Sequence, residues 1–490
     1  MATRSSKRKN SKSNNSTWTV VNLILSVLYA LLAGMVVFTM FSHNFLAFRH
    51  INIILTVVLL LIFATSLILI ILKKGKILTG LGLVLFSLLS AGILYGFRSA
   101  INIADDLNNS AAYSEIKMSV VVPADSSVSD VSELSDVEAP TESDGTNIAD
   151  LLAHIQSDKG VALNTVNVAS YQEAYEHLRD GSSQAMVMNS SYSSLLELTD
   201  ENYQENIKEV YSYTIKTKIK DSRAQSADSD VFNIYVSGID TYGSISTVSR
   251  SDVNIILTVN MKTHKVLMTT TPRDAYVQIP NGGANQYDKL THAGIYGVET
   301  SMQTLENLYD IDIDYYARIN FTSFMNLVDA VGGITVYNDQ AFTSYTDSNY
   351  TFEVGNVTLD SEKALAFVRE RYALDGGDND RGKNQMKVVS AILNKLTSLN
   401  SLSAYSAVIS SLQDSVQTNM SLNTMMDLAN TQLDSGSRFT VTQQEVTGEG
   451  STGQLTSYAM PTANLYMLEL DQSSVEKASQ AIKDIMSDKP

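Results

Sequence analysis

The stretch VFNIYVSGIDTYGSISTVSRSDVNIILTVNMKTHKVLMTTTPRD, residues 231–274, decides how the larger part of this chain folds. Val231–Ser237, Val253–Val259 and Lys265–Thr270 are short runs rich in β-branched and aromatic residues, so they read as three strands. Toward the C-terminus the pattern turns helical. Val298–Tyr309 and Phe321–Val331 read as helices, and Gly332-Gly333 ends the second before a strand at Ile334–Tyr337. Asp360 can N-cap a helix through Ala366, Met386–Leu396 is a helix, and helical pattern continues to about Leu433. Strands alternating with helices imply the α/β class and a three-layer α/β/α domain over residues 227–490.

Working the other way, Asp221–Asp230 (DSRAQSADSD) is a polar connector and marks a boundary. Residues 98–226 before it read as a small α/β accessory domain. Glu115–Val122 and Gln184–Met188 are expected strands; Ile148–Ile155, Ser170–Leu178 and Tyr192–Leu198 are expected helices. Asp125–Asp144 is rich in Ser, Asp and Glu and reads as a solvated loop. This domain shows no catalytic constellation, and its His154 and His177 read as surface or capping residues.

Trp18–Phe41, Ile51–Leu72 and Ile77–Phe97 contain no Asp, Glu, Lys or Arg. Each reaches the ~20 residues that cross a bilayer, and none keeps a polar face. Three transmembrane helices are therefore expected over 18–97. Arg4, Lys7, Arg8, Lys9 and Lys12 precede the first, and Lys73-Lys74-Gly75-Lys76 joins the last two, whereas the first loop carries only Arg49. That bias predicts a cytoplasmic basic tail over 1–17, a multi-pass plasma-membrane protein, and everything after Phe97 outside.

The formal charge of −17 hides this split. The first 100 residues hold ten basic residues and no acid, leaving 25 basic against 52 acidic residues, a net of −27, in the remainder. Phosphate repels such a field, which argues against nucleic acid as a partner. Cysteine is absent, which excludes disulfides, thiol catalysis and Cys-ligated zinc; six His without an HExxH argue against a zinc protease. An exported, cysteine-free region fits a Gram-positive envelope.

The residues after Arg98 include nine Arg, and five of them fall in short polar motifs of the second domain. Gly238-Ile239-Asp240 ends the first strand, Arg250-Ser251-Asp252 opens the next, and Thr271-Pro272-Arg273-Asp274 ends the third. Val368-Arg369-Glu370-Arg371-Tyr372, Asp378-Asn379-Asp380-Arg381 and Gln385 follow. Arg369 and Arg371 share a face if VRERY is extended after a helix through Ala366. Guanidinium groups held together call for an anion, and they grip phosphate bidentately, so a pyrophosphate site is expected. Asp240 and Asp252 supply hard oxygen ligands suited to Mg²⁺. Plain surface ion pairs at strand ends are the alternative for any single motif.

Taken in order, GID, RSD, TPRD, the VDAVGGI run at 328–334, VRERY, DNDR and Gln385 resemble the LytR-CpsA-Psr family, from about Val231 to the C-terminus. The three spans and the acidic preceding domain resemble its capsule-linked streptococcal members. The resemblance implies transfer of a glycopolymer from an undecaprenyl-pyrophosphate carrier to peptidoglycan, at N-acetylmuramic acid, leaving a phosphodiester. Carried over by position, Asp240 and Asp252 would bind Mg²⁺, and Arg250, Arg273, Arg369, Arg371, Arg381 and Gln385 the pyrophosphate. Arg250, Arg273 and Asp378 would be catalytic, with Asp378 near the phosphates, and Lys289 would stand at the pocket mouth. Many relatives carry Arg directly before the Gln; this chain has Asn384. The implied partners are the lipid-linked polysaccharide, peptidoglycan, membrane lipid and capsule assembly proteins. Other readings are a polyprenyl pyrophosphatase, or a membrane regulator or sensor of capsule synthesis.

Overall fold

A computed structural model describes residues 6–111, 113–219, 230–239, 241, 245–398, 407–408, 410–411, 416–437 and 439–487. The side chains of 6–16, 106–107, 109–111, 378–379 and 397 lie outside that description, as do Asp240 and the connector at 221–229. The chain divides into two compact units. One comprises 1–105, 399–410 and 421–437; the other comprises 106–398, 411–420 and 438–490.

In the first unit, Thr17–Ser42, Phe48–Ile71 and Lys76–Asp105 are helices long and apolar enough to cross a membrane. Their outward residues are apolar, with Phe38, Ile71 and Leu78 74 %, 75 % and 77 % exposed, as a lipid-facing helix requires. The helix Leu422–Ser435 belongs to this unit. Ser421 caps it by accepting from Thr424 N, and Gly436 ends it at φ +59°. Asn423, Asp427, Asn430 and Asp434 form one helical stripe. All four bond the loop after the first span. Asn423 Oδ1 lies 3.3 Å from His43 Nδ1, and Asn44 Nδ2 donates to Asp427 at 2.9 Å. Phe48 N donates to Asn430 at 3.3 Å, and Arg49 N donates to Asp434 at 2.5 Å. Leu422 and Met426 join Tyr29, Met40, Phe45 and Phe97 in one core.

Among the described residues, the second unit contains two large sheets and four two-stranded ones. The smaller has the order Asn164–Asn167, Asp136–Ala139, Met186–Asn189, Tyr113–Pro123, Ile207–Lys218. Val120, Val122, Ile148, Leu151, Ala174 and Leu178 fill the core between this sheet and the helices Thr141–Lys159 and Tyr171–Asp180. The expected loop at Asp125–Asp144 is not all loop: it contains the strand Asp136–Ala139 and the start of the helix at Thr141. The reason is tertiary. Asp144 is an internal post whose carboxylate accepts from Tyr171 at 2.6 Å, Asn189 at 2.7 Å and Asn147 at 2.7 Å. His154 pairs with Tyr211 at 2.6 Å and His177 with Glu138 at 2.9 Å.

The larger sheet has the order Val416–Thr418, Tyr315–Ile319, Val231–Ile239, Ser251–Asn260, Lys265–Thr270, Thr440–Glu445. The three strands read from 231–274 are its antiparallel centre, with Ile234 opposite Leu257 and Leu257 opposite Met268. Tyr315–Ile319 and Thr440–Glu445 add in parallel on either side. The run expected to be helical up to Leu433 is interrupted by the edge strand Val416–Thr418, antiparallel to Tyr315–Ile319. On one face Tyr235, Ile256 and Leu267 pack on Met302 and Leu305 of helix Val298–Tyr309 and on Val475 and Ile482 of helix Gln472–Ser487. Helices Phe321–Ala330, Ser361–Arg369 and Asp378–Thr397 share a second core through Phe324, Val328, Leu365, Val388 and Ile392, with Ile319 of the sheet against it. The fold is the expected three-layer α/β/α arrangement.

Candidate active site

A cavity opens where the central strands end beneath those three helices. Its polar wall carries Asp252, Arg273, Arg369, Arg371, Arg381 and Gln385. Its other walls are mainly apolar, including Val236, Val253, Phe321, Phe324, Leu365 and Val388, with Asn320, Thr346 and Tyr372 among them. Gly238 allows the close approach there, because a Cβ would meet Val253 Cγ2 at 2.7 Å. The helix bearing Phe321 and Phe324 starts on a capping box: Asn320 accepts from Ser323 N at 2.9 Å and donates its own N–H to Ser323 Oγ at 3.0 Å.

Asp252 is the charge hub. It accepts from Arg273 at 2.5 Å and from Thr291 at 2.9 Å. Burial works to raise its pKa, but the charges of Arg273, Arg250 and Arg381 outweigh burial and hold the carboxyl well below the usual range. Those three Arg therefore act on one carboxylate, and Arg273 bonds it directly. Arg250 is 5 % exposed and does not line the cavity. Lys289 does not line it either: its ammonium pairs with Asp274, which also lies 3.6 Å from Arg273 Nε. Burial pushes the Lys289 pKa down, and Asp274 offsets only part of that. Gly294 seats the neighbouring turn against the RSD motif, since a Cβ would meet Ser249 O and Ser251 N at 2.6 Å.

The expected extended VRERY is not what forms. The helix Ser361–Arg369 runs through Arg369, Glu370 is extended, and a turn begins at Tyr372. The helix stops because the buried Glu370 carboxylate takes up the backbone donors itself. It accepts from Arg371 N and Ala373 N at 2.9 Å and from Tyr345 N at 2.6 Å. Both guanidinium groups still reach the cavity, each over an aromatic ring: Arg369 4.3 Å from Phe321, Arg371 5.3 Å from Tyr372. Gln385 Nε2 donates to Val368 O at 3.4 Å, and Asn384 is buried, accepting from Lys387 at 3.4 Å.

Asp240 lies outside the described residues, and so does the Asp378 side chain, although Asp378 opens the helix Asp378–Thr397. Among the described residues no group of three His, Asp or Glu side chains could hold a metal alone. Asp252 is the one described carboxylate lining the cavity, and it is paired with Arg273; Mg²⁺ bound there would take one or two carboxylates plus waters and substrate phosphates. Sequence reading passed over Asp274, Glu370, Thr291 and Tyr372. The available signal for Glu370 was an acid placed between two arginines; Thr291 carried none.

A family model described as the LytR_cpsA_psr family matches residues 187–484. A second, described as DNA polymerase processivity factor, matches residues 73–188. Among curated proteins, the chain is 33 % identical over 282 residues to the polyisoprenyl-teichoic acid–peptidoglycan teichoic acid transferase TagU of Enterococcus faecalis, covering 57 % of this chain and 87 % of that one. It is 34 % identical over 266 residues to the corresponding transferase TagT of Bacillus subtilis, covering 52 % and 77 %. Among solved structures, TagT bound to LI-WTA matches at 29 % identity and a TM-score of 0.44, covering 55 % and 95 %. The protein gbs0355 from Streptococcus agalactiae matches at 28 % identity and a TM-score of 0.47, covering 56 % and 92 %.

Proposed function

The chain belongs to the LytR-CpsA-Psr family, and on that premise we propose that it is a membrane-anchored phosphotransferase that attaches a capsular polysaccharide to peptidoglycan. The donor is an undecaprenyl-pyrophosphate-linked polymer and the acceptor is a hydroxyl of N-acetylmuramic acid. The observation that carries this reading is one cavity with an arginine wall and an apolar remainder. A lipid pyrophosphate needs both.

The chemistry follows from that lining. Arg273, Arg369, Arg371 and Arg381 grip the pyrophosphate and spread the charge that develops on its oxygens. The charges of Arg250 and Lys289 lie behind them. Phe321, Phe324, Leu365 and Val388 cover the first isoprene units. The acceptor hydroxyl attacks the phosphorus that bears the polymer. An O–P bond forms, the pyrophosphate bridge breaks, undecaprenyl phosphate leaves, and the hydroxyl proton passes to a base, for which Asp378 is the candidate. Asp252 with Asp240 would hold Mg²⁺, which when bound neutralises phosphate charge. Gln385 orients toward the same phosphates.

The Lys/Arg bias supports an external catalytic domain. The names of the relatives favour a teichoic acid as the polymer; the three spans with a small acidic domain favour capsule.

The test is reconstitution of the full chain in liposomes with lipid-linked capsular polysaccharide and peptidoglycan fragments. Transfer that disappears in Arg371→Ala and Arg381→Ala supports the reading; wild-type transfer in both sinks it. Release of free polymer without any acceptor adduct would instead identify a pyrophosphatase.

A further inference from the structure

The turn Leu290–Tyr296 is a seven-residue 3₁₀ helix. Such helices rarely run past about three or four residues, because their hydrogen bonds are poorly aligned, so this one is held from outside. Side chains three apart share a face in that geometry. Thr291 and Gly294 face the RSD motif: Thr291 donates to Asp252 at 2.9 Å, and a Cβ on Gly294 would meet Ser249 O and Ser251 N. His292 and Ile295 face the other way. Ile295 enters the core of the small sheet, and His292 Nδ1 lies 2.8 Å from Asp288 Oδ1.

Asp288 is what holds the turn. It is 1 % exposed and accepts four donors: Lys289 N at 2.7 Å, and the His292 ring, Ser457 Oγ and Ala459 N at 2.8 Å each. The carboxylate only accepts, so His292 Nδ1 carries the proton. His292 is wholly buried, and its Nε2 has no hydrogen-bond partner among the described residues. An apolar side chain would pack there without that unpaired acceptor, so the bond to Asp288 is what a histidine adds. Neither residue lines the cavity.

The turn so held answers two acids. Lys289 pairs with Asp274 and Thr291 with Asp252, and both acids also stand against Arg273. Thr291 N further donates to Arg273 O at 2.9 Å. Deprived of the turn's donors, each acid would claim more of the Arg273 guanidinium, and a guanidinium engaged by carboxylates is withheld from phosphate. We infer that Asp288 and His292 are positioning residues of the phosphate site: touching no substrate, they hold Thr291 and Lys289 against Asp252 and Asp274 and so leave Arg273 available to a pyrophosphate. The identity of that anion rests on the phosphotransferase reading.

The probe is geranylgeranyl pyrophosphate, titrated calorimetrically into the full chain in nanodiscs, with transfer from lipid-linked donor measured beside it. Thr291→Val, which exchanges the hydroxyl for a methyl, should bind the probe about fivefold more weakly, and His292→Leu about tenfold, because it loosens Lys289 as well. The double variant should bind as His292→Leu does, since one residue acts through the other. His292→Asn keeps an N–H donor and should restore most of the loss. Leu178→Ala costs stability in the helix Tyr171–Asp180 instead, and should leave the affinity unchanged. Wild-type affinity in Thr291→Val or His292→Leu, losses that multiply in the double variant, or an equal loss in Leu178→Ala overturn the inference. If His292→Leu does not fold, Asp288→Asn takes its place in the same comparison with Thr291→Val, with the same outcomes. A wild-type chain that binds the probe and transfers nothing sinks the phosphotransferase reading, while the affinities still decide the positioning; a wild-type chain that does not bind sinks both.

Discussion

Replacing Glu370 by Gln tests whether one buried carboxylate assembles the arginine wall and its rim. Glu370 is 0 % exposed, and its two oxygens accept three backbone N–H groups. Gln fills the same volume but offers one oxygen. If that oxygen keeps Arg371 and Ala373, the amide nitrogen meets Tyr345 N–H donor to donor. One charge-assisted bond is lost and a buried N–H goes unpaired, a cost of about 2–3 kcal/mol. That is roughly 30- to 150-fold in the local opening equilibrium. Hydrogen exchange by mass spectrometry, on peptides covering 341–352 and 370–377 of the full chain, reads it directly. Both should exchange faster by that factor, while helix Val298–Tyr309 keeps its protection. Wild-type exchange at both peptides would refute the reasoning. The pH dependence follows from the same bonds. Burial raises the Glu370 pKa, but the donors at Ala373, Tyr345 and Ser344 outweigh it, so the carboxyl lies below its ordinary value of 4.5. A depressed folded pKa gives stabilisation that is complete above the unfolded value and lost as pH falls through the folded one. The wild-type segments should therefore open on acidification below about pH 4.5; the Gln variant should lose that dependence.

Arg273→Ala removes the partner of a buried carboxylate and should cost about 3–5 kcal/mol, lowering Tm and abolishing transfer. Adding Asp252→Asn should recover Tm but not activity, and a double variant no more stable than the single would refute the pairing. Lys289→Met should reduce transfer about tenfold by leaving Asp274 to compete for Arg273; Asp274→Asn in the same chain should restore part of it, and no restoration would place Lys289 in direct contact with substrate. The chain has no cysteine, so Asn44→Cys with Asp427→Cys reports cleanly on the docked helix Leu422–Ser435. Oxidation in intact cells should close a disulfide detectable by a gel shift, and no closure under oxidant would refute the docking.

Much of the α/β/α domain was legible because its signals are local. Lys265–Thr270 and Val298–Tyr309 form at the bounds read from pattern, and Gly332-Gly333 ends its helix with φ of +73° and +77°. The arginines were conspicuous against an acidic background. Less legible was whatever depends on a distant partner. Asp144 read as solvent-facing by composition, yet it anchors Tyr171 and Asn189. Arg369 and Arg371 read as sharing a strand face, whereas Arg369 ends a helix and Arg371 follows the extended Glu370.

By itself the sequence determined the three apolar helices, the α/β alternation and the residue types that gather at one cavity, because each rests on periodicity or charge within a few residues. Only the tertiary structure decided which charges meet. Asp252 takes Arg273 and Thr291 from other segments, Lys289 is drawn to Asp274 rather than to the cavity, and Glu370 trades helix propagation for the amide of Tyr345. Buried charges settle on whichever partner leaves the fewest unpaired, and that choice is made across the fold.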